Sequence, residues 1–295
     1  IRDKISSMCD LECWEEEDVP VPREELEKRI SDIDGLYCLL TDQIDESLIS
    51  KGTRLRVISN MAVGYNNIDV HAATRRNIMV TNTPGVLTET TADLTFALLM
   101  AAARRLTEPS EFLRSGRWKT WSPFLLTGQD IYGATMGIVG LGRIGEALAR
   151  RARGFDMKVL YYSRSRKTEA EERLGLQYAE LDDLLKESDF VCIMTPYTPE
   201  TKDMIGRREL SLMKKTAVLI NTARGGIVNE KALYEALKNG DIWAAGLDVF
   251  EQEPVPLDHP LLTLPNVVAL PHIGSASVRT RMRMAELAAE NLLQG

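Results

Sequence analysis

The stretch "GIVGLGRIGEALAR", residues 137–150, decides how the rest of the chain is read. An apolar run ends in Gly140-x-Gly142-x-x-Gly145, and a run with helical periodicity follows. That order predicts strand, tight turn and helix. Gly140 permits the turn, Gly142 removes a side chain so that a pyrophosphate can approach the backbone, and Gly145 lets helix and strand pack closely. Free N–H groups at the helix start would face the phosphates. The spacing alone is a weak signal, so its surroundings matter.

Those surroundings are six strand-like runs: "TMGIVGL", "MKVLYY", "FVCIMTP", "AVLINTA", "AAGLDVF" and "VVALPH". Helical segments such as "ELDDLLKES" and "NEKALYEALKNG" separate most of them. Six strands with crossovers predict a complete dinucleotide fold. Ahead of it, 36–41, 55–62 and 78–82 read as buried strands, with helices at 23–30 and 69–76. A long apolar helix is expected over 89–105, its last turn holding Arg104 and Arg105, where cations suit the helix dipole. The last segment, from 277 on, reads as a helix with no strand partner in the second unit, so it is expected to pack back on the first. The prediction is therefore α/β: two Rossmann-like, doubly wound parallel-sheet domains with the active site in the cleft between them. The expected divisions are 1–92 plus 276–295 for the substrate domain and 93–275 for the dinucleotide domain.

The bulk numbers restrict the function. A chain of 295 residues with net charge −7 and 44% hydrophobic residues can bury two cores and has no basic block for nucleic acid. No apolar run reaches a membrane span of about 18 residues. The four cysteines (9, 13, 38 and 192) form no CxxC and no metal set, so reduced structural thiols and a cytoplasmic setting are expected. The chain opens on Ile1, and residues preceding it are expected to be missing.

Residues 158–167, "KVLYYSRSRK", carry the cofactor question. An acid normally ends this strand, about 20 residues after the first glycine, and binds the ribose hydroxyls. Here Ser163 stands there, followed by Arg164, Ser165 and Arg166. Without the acid a 2′-phosphate is not repelled, and two arginines could pair with it. NADP(H) is the expected cofactor, with NAD(H) left open.

Three residues after strand-like runs suit the reduction of a 2-keto acid. Arg224, in "INTARGGIVNE", can fork to a carboxylate. His272, in "ALPHIGSAS", is a proton donor near neutral pH. Glu253, in "LDVFEQEP", can hold that imidazole. Each taken singly also reads as a surface arginine, a turn carboxylate or a core histidine. His71 and His259 fit no catalytic role.

With these motifs the chain resembles the D-isomer-specific 2-hydroxyacid dehydrogenases, and most closely their glyoxylate/hydroxypyruvate reductase branch. The likeness includes "AVGYNNID" (62–69), "NTPGVLTETTADLTFALLMAAARR" (82–105), "GATMGIVGLGRIG" (133–145), "NTARGGIVNE" (221–230), "AAGLDVFEQEP" (244–254) and "LPHIGSAS" (270–277). The resemblance implies Arg224 as carboxylate binder, Glu253 as partner of the acid/base and His272 as acid/base. It implies that the backbone around Val63 and Gly64 also meets the substrate carboxylate. It places Thr91 and Asp248 near the nicotinamide, with Thr222 and Ala223 among the cofactor contacts. Arg143 and Ile144 fall at the pyrophosphate, and Thr195, Pro196 and Thr201 beside the adenosine half. It further implies a homodimer whose arm includes Trp118 and Trp121, with Trp121 reaching the neighbouring copy's site. The first strand of the family's substrate domain is expected to be absent from this sequence.

The function expected is reduction of glyoxylate and hydroxypyruvate. Another small 2-keto acid, such as 2-ketogluconate, and a nucleotide-sensing binding protein that keeps the same residues remain as alternatives. No metal, nucleic acid or membrane partner is expected.

Overall fold

A computed structural model describes residues 1–16 and 19–295. The chain forms two compact units, one made of Ile1–Leu87 and Ala276–Gly295, the other of Thr88–Ser275. The division falls at the start of the helix Thr88–Ala103, not inside it at 92–93, because that helix packs as one body on the second unit's sheet.

In the first unit, β1 (Gly35–Cys38), β2 (Val57–Asn60) and β3 (Met79–Thr81) form a parallel sheet in that order. Alternation along the strands sorts the two faces. Cys38 and Ile58 join a core with Ile44, Leu48, Ile49 and Ala73. From the opposite face Ser59 Oγ donates to the Ala288 carbonyl at 2.7 Å, so the helix Val278–Gln294 lies there.

In the second unit seven parallel strands follow one another across the sheet: β10 (Val267–Ala269), β9 (Ala244–Leu247), β8 (Val218–Asn221), β7 (Phe190–Ile193), β4 (Thr135–Val139), β5 (Lys158–Tyr162) and β6 (Gln177–Tyr178). The chain starts in the middle at β4, runs outward to β6, then returns to β7 on β4's other side. That reversal is the switch point where open α/β sheets bind ligands. The six strands expected from the sequence are all present. The seventh, β6, is two residues long, too short for an alternating pattern to show.

Two further differences have local causes. The helix Thr88–Ala103 stops before both arginines, and Arg105 turns left-handed (φ 56°) to bind Glu108 at 2.7 Å. The helix Thr107–Arg114, unforeseen, starts directly after this turn and buries none of its residues. The cysteines are free thiols: burial pushes the Cys38 and Cys192 thiols up to about 12, which keeps them protonated and unreactive. Among the described residues no helix is long and apolar enough to cross a membrane.

Candidate active site

Register brings the second unit's predicted residues to one edge. Tyr162, Val139, Ile193, Asn221, Leu247 and Ala269 stand level across five adjacent strand pairs, and each is the last residue of its strand. Every loop that leaves this row therefore opens on the same side. The loops carry Ser163, Gly140, Thr195, Arg224, Asp248 with Glu253, and His272 in that order across the sheet.

The glycine loop has the shape a pyrophosphate requires. Gly140 is left-handed (φ 101°), and a Cβ there would meet the Thr195 backbone N at 2.7 Å. A Cβ on Gly145 would come within 2.8 Å of the Gly140 carbonyl, so helix and turn touch. Gly142 caps the helix Arg143–Arg153, and a Cβ there would meet nothing within 4 Å. The space beside Gly142 and the bare N–H groups of that helix's first turn are where a phosphate fits. Arg143 and Ile144 begin the helix. Thr195 and Pro196 lie in the loop after β7, across from Gly140. The Thr201 hydroxyl accepts from the Thr198 N–H at 2.7 Å and donates to the Pro196 carbonyl at 2.8 Å, so it shapes this loop.

The loop after β5 is arranged differently from expectation. Ser163 Oγ donates to the Ser165 carbonyl at 2.7 Å, and Arg164 is exposed. Arg166 forks onto Glu171, with Nε and Nη2 each at 2.8 Å. Glu171 also accepts from the Tyr161 hydroxyl at 2.6 Å, and the arginine and tyrosine together hold its carboxyl down to about 2. Of the two arginines, only Arg164 is not committed to a carboxylate by a side-chain hydrogen bond in this structure.

Asn221 shapes the loop after β8. Its Oδ1 accepts from Ala223 N at 3.1 Å and its Nδ2 donates to the Arg224 carbonyl at 2.9 Å. Gly225 lies so close to the next loop that a Cβ would sit 1.9 Å from the Phe250 carbonyl. Arg224 is therefore set by its neighbours on both sides. Burial pushes its guanidinium down, and Glu253 pushes it back up in part; an arginine stays cationic under such a shift.

Glu253 Oε2 lies 2.6 Å from His272 Nδ1, and Oε1 accepts from Phe250 N at 3.0 Å. Burial pushes the Glu253 carboxyl up, but the His272 hydrogen bond and charge, Phe250 N–H and Arg224 outweigh it and hold the group below its ordinary range. Glu253 is thus ionised near neutral pH. His272 adopts a left-handed backbone (φ 55°), and its Nε2 is the ring nitrogen not engaged with Glu253.

Asp248 is fully buried at the end of β9. Its Oδ1 accepts from Ile273 N at 2.8 Å, while Oδ2 is buried without a hydrogen-bond partner among the described residues. Burial pushes its carboxyl up. Gly274 stands beside it: a Cβ there would lie 3.3 Å from Asp248 Oδ2 and 3.4 Å from the Thr91 methyl. Thr91 and Asp248 are thereby gathered at one spot, with an acceptor suited to an amide donor. Thr222 shares a 2.7 Å hydrogen bond with Thr95, a buried tie from the long helix to β8 that the sequence did not single out. His259 is structural: its Nε2 lies 3.1 Å from Glu230 Oε2, and Glu230 Oε1 accepts from Glu251 N at 2.6 Å, bracing the loop that bears Glu253.

In the first unit, Val63 and Gly64 follow β2 in a half-buried loop. Their carbonyls accept from Asn82 Nδ2 at 2.8 Å and Asn60 Nδ2 at 3.0 Å.

A glycine-cradled phosphate site level with a carboxylate–histidine pair defines the class: an oxidoreductase dependent on a nicotinamide dinucleotide. Residues 96–274 match the family model described as D-isomer specific 2-hydroxyacid dehydrogenase, NAD binding domain, and the chain belongs to that family. A glyoxylate reductase of Korarchaeum cryptofilum is 55% identical over 291 residues, 98% of this chain and 87% of that protein. An NADPH-dependent glyoxylate/hydroxypyruvate reductase of Sinorhizobium meliloti, solved with NADP and malonate, superposes with a TM-score of 0.82 at 39% identity, covering 89% of this chain and 81% of that one. A D-lactate dehydrogenase of Aquifex aeolicus, solved with NAD and lactic acid, also reaches 0.82, at 32% identity over 92% of this chain and 84% of its own.

Proposed function

We propose that the chain reduces glyoxylate, and with it hydroxypyruvate, to glycolate and D-glycerate, preferring NADPH. The observation that carries this reading is the 2.6 Å Glu253–His272 pair, level across the sheet with the glycine loop and Arg224. When bound, a reduced nicotinamide dinucleotide would supply the hydride that the carbonyl carbon accepts. The carbonyl π electrons then collect on oxygen, and His272 Nε2 gives that oxygen its proton. Glu253, held ionised, keeps Nδ1–H oriented and stabilises the imidazolium that precedes transfer. Arg224 takes the substrate carboxylate in a two-donor fork. The Val63 and Gly64 N–H groups are suited to receive a substrate carboxylate. Relatives named for glyoxylate reduction support this substrate over 2-ketogluconate. The test is NADPH oxidation on adding glyoxylate or hydroxypyruvate. Tight NADPH binding with no turnover of either would leave the sensing reading instead.

For the cofactor, Ser163 in place of an acid supports NADPH, with Arg164 the residue to meet the 2′-phosphate. One charged hydrogen bond is worth about 1.5–3 kcal/mol. kcat/KM is therefore expected to favour NADPH over NADH by roughly tenfold or more. Ser163→Asp should reverse the preference. Arg164→Ala should cost more than Arg166→Ala, since Arg166 already binds Glu171. Steady-state kinetics with both cofactors decide it; equal use of the two by the parent protein would refute the preference.

We also propose a homodimer. Trp118, Trp121, Phe124 and Tyr132 are 55, 76, 87 and 74% exposed, so these rings do not fill a core of their own chain. Several large exposed aromatic side chains within one short segment suit an association surface. Trp121, in this reading, reaches the active site of the neighbouring copy. Light scattering at micromolar concentration should give twice the chain mass, and a monomer mass would contradict it. We propose a cytoplasmic setting on the basis of the four cysteines, which are free thiols and include two that are buried.

A further inference from the structure

Three consecutive carbonyls after β2 are all held. The Ala62 oxygen accepts from Thr83 N at 2.9 Å, the Val63 oxygen from Asn82 Nδ2 at 2.8 Å, and the Gly64 oxygen from Asn60 Nδ2 at 3.0 Å. A trans peptide directs the N–H of the next residue opposite to the carbonyl it shares a plane with. Fixing the Ala62 and Val63 carbonyls therefore fixes the Val63 and Gly64 N–H vectors, the first turned away from the Thr83 backbone N–H and the second from the Asn82 amide, while Asn60 fixes the peptide that follows Gly64. Neither N–H donates to any group of the chain among the described residues. Adjacent N–H groups presented in this way form an anion-binding concavity.

The carboxamides that do the holding are themselves tied down. Asn60 is fully buried at the end of β2, and its Nδ2 also reaches Asn67 Oδ1 at 3.2 Å. Asn67 Nδ2 donates to the Leu39 carbonyl at 3.1 Å and the Asp42 carbonyl at 3.0 Å. The Asn82 backbone carbonyl accepts from Asn291 Nδ2 at 3.1 Å, which anchors that residue to the helix Val278–Gln294. Asparagine is the chemistry the task requires. Its amide donates to a carbonyl without bringing a charge, whereas an aspartate would repel both the carbonyl and an incoming anion.

We propose that Asn82, by holding the Val63 carbonyl, and Asn60 with Asn67, by holding the Gly64 carbonyl on the other side of the same residue, are positioning residues of the substrate site that keep the Gly64 N–H, next to that of Val63, in the orientation that receives a carboxylate. None of the three touches substrate; each acts through the backbone it fixes. The gain is pre-organisation, since a loop that had to find this conformation on binding would lose affinity in ordering itself. The inference rests on Val63 and Gly64 being carboxylate donors, as proposed above.

The experiment uses the full chain with NADPH bound, glyoxylate as substrate and oxalate as inhibitor. Asn82 is only partly buried, which makes Asn82→Ala the first variant. KM for glyoxylate and Ki for oxalate should rise together by roughly five- to tenfold, the effect of one hydrogen bond in a connected network. kcat should change less than about threefold, with NADPH affinity and melting temperature near the parent values; a merely structural role would move these last two first. Asn82→Asp should raise both constants further. In the parent protein, oxalate should shift the amide resonances of Val63 and Gly64, and in Asn82→Ala the shifts should need correspondingly more oxalate. Parent-like KM and Ki in Asn82→Ala, with the parent's two resonances still shifting, would overturn the positioning role and leave the carboxylate reading intact. Resonances that do not move in the parent would remove the carboxylate reading and this inference with it. If Asn82→Ala does not fold, Asn291→Ala removes only the outer link. A two- to threefold rise in both constants then supports the proposal, and unchanged constants overturn it.

Discussion

Replacing His272 with alanine is expected to lower kcat by roughly 10²–10⁴, the range a positioned general acid contributes. KM should change little, because the imidazole meets the carbonyl oxygen chiefly as charge develops there. NADPH affinity should survive, since the phosphate site lies in the loops after β4 and β5. The companion variant is Glu253→Gln, which keeps a group able to hydrogen-bond at 2.6 Å from Nδ1 but removes the negative charge. The imidazolium that precedes transfer then loses its stabilising partner, so kcat should fall, though by less than in His272→Ala. Near-normal turnover of every 2-keto acid by His272→Ala would show that water or another group supplies the proton.

Arg224→Lys should raise KM for glyoxylate strongly and lower kcat as well. A lysine can keep one hydrogen bond to the carboxylate but not the planar fork. Each charged hydrogen bond is worth about 1.5–3 kcal/mol, so losing one should cost kcat/KM roughly tenfold to hundredfold. Arg224→Ala loses both and should cost about 10²–10⁴. Burial adds to the effect: the site is already desolvated, as the lowered guanidinium of Arg224 indicates, and water there is a poor substitute for the missing donor. A pyruvate-like aldehyde without the carboxylate should be turned over equally slowly by parent and variant. Should Arg224→Lys show the parent KM, the carboxylate must be bound elsewhere.

The dinucleotide unit was readable because its signals are local. A glycine spacing, six apolar runs and the polar loops after them each fit within a dozen residues, and strand register places them on one edge. β6 escaped because Gln177 and Tyr178 carry no periodicity. The Arg166–Glu171 pair escaped notice for a related reason. Glu171 sits one helical turn into Thr168–Leu174, among other acids, and nothing in the sequence ranks it above a ligand phosphate. The Asn60, Asn67 and Asn82 framework was invisible for a different cause. Asparagine in "SNMAVGYNN" reads as turn-former, and only folding shows that Asn60 and Asn67 are buried with their amides aimed at backbone. Tyr161 likewise read as a plain strand residue, although its hydroxyl accepts from Lys167 N and donates to Glu171.

The left-handed backbone of His272 has a bearing on how this protein can change over generations. Such a conformation costs a residue with a Cβ roughly 1–2 kcal/mol, which glycine would not incur. Heat resistance and turnover therefore pull this position in opposite directions, a local instance of the trade between stability and activity. Only continued demand for the proton keeps an imidazole there. A duplicated copy retained for holding nucleotide alone would be free to lose His272 early, while Gly140 and Gly145, jammed against neighbouring backbone, would stay. The order in which those positions decay would separate descendants that abandoned the reaction from those that still perform it.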